Sequence, residues 1–142
     1  MAAAIEALFA SVNPDVAKGD ELRGQVAGSL EETRRLRNPS IALQRAVYKG
    51  VAGLFQKLAK SGAGEEAAAG DEIAQSLREH LFRADAGSEA VRLQRADAIT
   101  AVAAFSKSLA AGFRPAVLSM IKDDPSTAVR ERLSGAAGVS PS

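Results

Sequence analysis

Cysteine is absent from this chain, and with it go disulfides, thiolate zinc sites and cysteine nucleophiles. That absence fits a reducing compartment. Tryptophan is missing as well and Tyr48 is the sole tyrosine, so the aromatic platforms on which bases stack are scarce. His80 is the only histidine, and any histidine-dependent triad or metal site must be built on it alone. With Arg78, Glu79 and Arg83 around it and Leu77 and Leu81 on its helical border, it reads as a histidine at the edge of a buried helix face, whose truncation to alanine would be nearly neutral. Charge of one sign is lacking too. Eighteen Lys plus Arg face seventeen Asp plus Glu, a formal net charge of +1, which leaves no global electrostatic case for nucleic acid or acidic lipid. No apolar run approaches the roughly 18 residues that span a bilayer. The apolar stretch Ala2 to Val12 contains Glu6 and precedes the first basic residue, Lys18, so it does not have the pattern of a secretory signal or transit peptide. A soluble, cytoplasmic protein without a membrane partner is the expectation. There is no phosphate-binding glycine loop and no His-Glu-x-x-His; no catalytic residue, metal or cofactor is expected, and the chain is read as non-enzymatic.

What is present is a well-mixed helical composition. At 142 residues, 46% hydrophobic and 25% charged, the chain is one domain's worth and can bury a core without staples. Helical spacing recurs along it. Ile5, Leu8, Phe9 and Val12 mark a first helix stopped by Asn13-Pro14. Leu22, Val26, Leu30 and Thr33 mark a second, from about Asp20 to Leu36. Asn38-Pro39 is expected to cap a third, with Leu43, Val47, Val51, Leu54 and Leu58 along one side. Ser61 to Gly70 has no large apolar residue and reads as the longest flexible loop. Asp71 is expected to cap a helix bearing Ile73, Leu77 and Leu81, broken at Asp85 to Gly87. Ser88 then opens a long helix through Leu109 that Gly112 ends. A short helix with Phe113, Val117, Met120 and Ile121 follows, and Asp124-Pro125 opens the last, with Val129 and Leu133. Val47, Val51, Leu54, Val102 and Phe105 are expected to share the inner faces of the two long helices, with Phe105 buried. Residues 1–135 read as one helical domain and 136–142 as a flexible tail.

The pattern Ser-x-Ala-[Leu/Val]-[Gln/Arg] occurs three times, as Ser40-Ile41-Ala42-Leu43-Gln44, Ser88-Glu89-Ala90-Val91-Arg92 and Ser126-Thr127-Ala128-Val129-Arg130. The starts lie 48 and 38 residues apart, bracketing the period of roughly 40 to 47 residues seen in HEAT and armadillo arrays. Each copy follows at once on Arg37-Asn38-Pro39, Ala86-Gly87 or Asp123-Asp124-Pro125. This resembles the HEAT/armadillo family of helical repeats, in which helix A, a tight turn commonly containing Asp-Pro, and helix B form one unit. The closest stretch is Phe113 to Leu133, where Pro115-Ala116-Val117-Leu118 looks like helix A. The resemblance implies an all-α array of about three antiparallel helix pairs, with candidate repeats at 20–61, 70–111 and 113–135. An irregular antiparallel helical bundle is the alternative, and Asn13-Pro14 could shift the phase of every pair.

Charged residues supply the remaining candidates. Glu31-Glu32, Glu65-Glu66 and Asp123-Asp124 read as solvated surface charge and helix caps, and Glu31 stands four residues before Arg35, a spacing that pairs them. Arg45, Arg92, Arg95, Arg130 and Arg132 follow the repeated turns. In a stacked array equivalent positions align, so these five would form one ridge. A solvated rim, an acidic protein partner and nucleic acid are the three readings of such a ridge. The functional expectation is a protein–protein interaction module, an adaptor or a subunit of a larger assembly, with one or more partner proteins. A nucleic-acid-associated helical protein using the same ridge is the alternative.

Overall fold

A computed structural model describes residues 2–35, 40–82 and 87–138. Among these, seven α-helices follow one another: α1 Ala2–Ala10, α2 Gly19–Arg34, α3 Ile41–Lys60, α4 Asp71–Leu81, α5 Glu89–Phe105, α6 Lys107–Asp123 and α7 Thr127–Ala137. A single 3₁₀ turn, Glu65–Ala68, lies between α3 and α4. The described chain contains no strand. The odd-numbered helices stand side by side in the order α1, α3, α5, α7. The even-numbered helices make a second layer: α2 lies against α4, Arg78 of α4 reaches the Phe113 ring of α6, and α6 leans on α7.

The repeated serine pattern has a physical meaning at each of its three sites. Ser40, Ser88 and Ser126 are N-caps in extended conformation, and their hydroxyls accept the backbone N–H of Leu43, Val91 and Val129. The position three residues on is the apolar one, so each cap fixes the first inward-facing side chain of its helix. Each such bond contributes about 1 kcal/mol by satisfying an amide that has no intrahelical acceptor. These caps correct the expectations for Asp124-Pro125, which precedes the true cap, and for Asn38-Pro39, since α3 starts from Ser40. Asn38 and Pro39 themselves, like Leu36 and residues 83–86, lie outside the described residues.

One continuous core runs from Ile5 of α1 to Leu133 of α7. The expected faces are its walls: Leu22, Val26, Leu30 and Thr33 of α2, Val47, Val51, Leu54 and Leu58 of α3, and Ile73, Leu77 and Leu81 of α4 are buried. Gly50 permits a close approach between α1 and α3. A Cβ there would stand 2.3 Å from the Phe9 ring, so α1 can lie on α3 only over a glycine.

Several local expectations change. Phe105 is half-buried at the end of α5, and the fully covered aromatic is Phe55, whose ring meets that of Phe105 edge-on at 5.6 Å. The long helix breaks at Ser106 rather than Gly112: Ser106 is extended, its hydroxyl accepts from Leu109 N–H, and the Glu65 carboxylate accepts from Lys107 N–H. Gly112 and Pro115 therefore lie inside α6. Pro115 is exposed and leaves the carbonyl of exposed Ala111 without its helical donor, a loss that water can make good. The Ser61–Gly70 segment is more than a loop, because Ala67 and Ala68 of its 3₁₀ turn are buried against α2. Gly70, not Asp71, is the N-cap residue of α4. The helix α7 continues through Gly135 to Ala137 and closes on Gly138 in left-handed conformation; residues 139–142 lie outside the description.

Candidate interaction surface

Because α1, α3, α5 and α7 form one layer, residues from three different helices meet on its outer face. Arg45 of α3 donates from Nε to Gln94 Oε1 of α5 at 2.8 Å. One turn further along α5, Asp97 receives Arg132 of α7 through both carboxylate oxygens, at 2.8 and 2.9 Å. Arg45 and Arg132 are exposed. The two contacts stitch α3, α5 and α7 together at their surface.

The other three arginines expected on the ridge are placed differently. Arg92 Nε donates to Asp124 Oδ2 at 2.9 Å, with only 14% and 5% of the two side chains exposed, and Arg92 also reaches the Gly87 carbonyl. Arg130 donates to the main-chain oxygen of Asp124 at 2.7 Å. Asp124 thus gathers two arginines, and its Oδ1 accepts from Ser126 N–H to hold the turn into α7. It is a buried junction, which corrects its reading as solvated charge. Arg95 is buried within the array. Sequence spacing separated none of these roles. The signal available was Asp124 standing two residues before a capping serine, the geometry of a side-chain turn.

Elsewhere the carboxylates and the histidine hold layers together. Glu31 pairs with Arg34 at 3.2 Å rather than with Arg35, because Arg34 also reaches Glu79 of α4 while Arg35 turns to Glu32. Glu79, then Glu31, hold the Arg34 guanidinium above its ordinary pKa. His80 is buried on α4, and its Nε2 faces Thr33 Oγ1 at 2.9 Å and the Leu30 carbonyl at 3.2 Å on α2. Two oxygens facing one nitrogen favour a proton on Nε2. The histidine therefore joins two helices of the second layer, which corrects its reading as a boundary residue. His80→Ala is expected to cost about 1–3 kcal/mol in urea denaturation, since the Leu30 carbonyl and Thr33 are buried with it; a change under about 0.5 kcal/mol would return it to the boundary. Among the described residues no group of three His, Asp or Glu comes together in a way that could hold a metal ion.

Two grooves flank α3 on the outer face of the odd-numbered layer. One, of about 450 Å³, lies between α3 and α5 over Ala52, Ala101 and Ala104, with Gln94 and Asp97 on its wall. The other, of about 300 Å³, lies between α1 and α3 over Gly50 and Leu54, with Glu6 and Lys57 on its wall. Lys49 and Gly53 border both. No helix among the described residues is long and apolar enough to cross a membrane.

Two helical layers, alternating along the chain and entered through the same serine cap three times, make this an armadillo- or HEAT-like helical array. The family can be stated more narrowly. Residues 1–139 match the family model described as ECM29, C-terminal ARM-like repeats, and the chain belongs to that family. Comparison with curated proteins and with solved structures gives no match.

Proposed function

We propose that the chain is a non-enzymatic protein-interaction module, an adaptor or a subunit of a larger assembly, that meets an acidic partner through the outer face of the α1–α3–α5–α7 layer. The repeats divide as α2 with α3, α4 with α5 and α6 with α7, with α1 extending the odd-numbered layer. Arrays of this kind offer extended surfaces in place of enclosed pockets. The observation that carries the reading is that Arg45 and Arg132 from two different repeats are exposed on one face, each tied to α5. Of the five ridge arginines these two meet the partner, while Arg92, Arg95 and Arg130 build the helices that present them.

Affinity purification from the native source, with and without nuclease, tests the class of partner: proteins retained after nuclease support the module, and loss of every partner to nuclease favours nucleic acid. Arg45→Glu with Arg132→Glu should then slow association with a retained acidic protein by roughly tenfold, because reversed surface charges act through steering. Lys107→Glu with Lys122→Glu, on α6 of the other layer, should change it little. Equal effects from the two pairs would reduce the ridge to net charge alone.

A further inference from the structure

The outer layer has a low point, and its position is set by sequence. From Ile41 to Lys60, α3 carries Arg45, Lys49, Lys57 and Lys60 and no acidic residue. Its exposed ridge is interrupted at Gly53, where an added Cβ would meet nothing within 4 Å. The grooves on either side of α3 share Gly53 and Lys49, so they meet across α3 at these two residues, of which Gly53 is the low one. A chain that occupies both must cross α3 there. An α-helix about 10 Å across is too wide for a one-residue gap between long side chains, whereas an extended strand is not.

Charge selects the occupant. Lys49 is exposed and has no ion pair among the described residues. Lys57 lies along the α1–α3 groove with its ammonium on the Phe9 and Ala10 carbonyls, at 3.4 and 3.5 Å. On the α3–α5 side Asp97 is held in a half-exposed ion pair with Arg132, and Arg45 keeps its charge while bonded to the amide of Gln94. Lys49 and Lys57 therefore line the crossing, with Arg45 about two turns back along α3, against Glu6 in the far groove and the Arg132-paired Asp97 in the near one. Gly53, Ala52, Ala101 and Ala104 floor the α3–α5 side and Gly50 and Leu54 the α1–α3 side, a mostly small-residue surface that admits main chain closely and gives large apolar side chains shallow seats.

We infer that the two grooves form one docking trough for an extended, acidic segment of a partner protein, which crosses α3 at Gly53 with its carboxylates toward Lys49. This rests on the interaction-module reading and names its surface. Interhelical distances of 8–10 Å put the crossing from α1 to α5 at roughly 20 Å, the length of about six extended residues.

The test uses the full chain and an octapeptide of alternating Glu and Leu, followed by amide chemical shifts and fluorescence anisotropy. Shifts are expected at Lys49, Gly53, Ala101 and Ala104, with no binding by the same peptide carrying Gln for Glu. Gly53→Gln has room to fold and replaces a helical glycine, so it should keep or raise the unfolding temperature while weakening the peptide at least tenfold. Lys49→Glu, at an exposed position, should do the same. Shifts confined to another face, or full binding by Gly53→Gln, would overturn the trough. In that event partner proteins retained after nuclease, and lost on reversal of Arg45 and Arg132, would leave the module reading standing without it. Peptide binding at the trough with no protein retained from the native source would support the site and overturn the module.

Discussion

Phe55→Ala should lower the stability of the array by roughly 3–5 kcal/mol, the cost of deleting a fully buried aromatic and leaving a cavity. Phe55 is 0% exposed in the middle of the longest helix, and α3 is flanked by both α1 and α5. Its loss therefore removes packing at the α3–α5 contact, the most extensive in the layer. Phe105, against which it packs edge-on, is half-buried at the last position of α5. Phe105→Ala loses the edge contact, worth about 0.5–1.5 kcal/mol, and part of a buried face, and should cost clearly less than Phe55→Ala. Urea unfolding of the two variants settles the order. A smaller loss at Phe55 than at Phe105 would mean that the core is not centred on α3.

The faces of the helices were legible because burial in a two-layer array follows helical period closely. Leu22, Val26, Leu30 and Thr33 point inward as their spacing requires, and so do Ile73, Leu77 and Leu81. Helix ends were less legible, since several residues compete to mark them. Asp-Pro and Asn-Pro were the conspicuous signals, yet the side-chain caps belong to the serines that follow. Gly112 suggested a helix break, but the break moved to Ser106. There a serine cap and the distant Glu65 together satisfy the first amides of α6. That second contact joins residues 42 positions apart, and no local pattern carries it. The surface was legible only as a set of arginines. Spacing places them near the turns, but whether a guanidinium pairs with its carboxylate in a buried or an exposed site depends on the neighbouring helix, as Arg92 and Arg132 show from opposite sides.

That difference sets the second large effect. Asp124→Ala should cost about 3–5 kcal/mol, because it strands the Arg92 guanidinium at a mostly buried site and removes the acceptor for Ser126 N–H at the start of α7. Asp124→Asn keeps an oxygen for that amide and loses only the charge, so it should fall between the wild type and the alanine variant. Arg92→Glu sets a second carboxylate beside Asp124 and should be at least as damaging as Asp124→Ala. Arg132→Glu, at a pair whose side chains are 48% and 51% exposed, should cost less than about 1 kcal/mol, as surface ion pairs do. Chemical denaturation of the four variants measures this directly. Should Arg92→Glu prove as mild as Arg132→Glu, the junction at Asp124 is open to water and Arg92 is free to serve a partner. With the expected order, any loss of binding on reversing Arg92 reflects a disturbed α5–α7 contact, and charge effects on a partner have to be measured at Arg45 and Arg132.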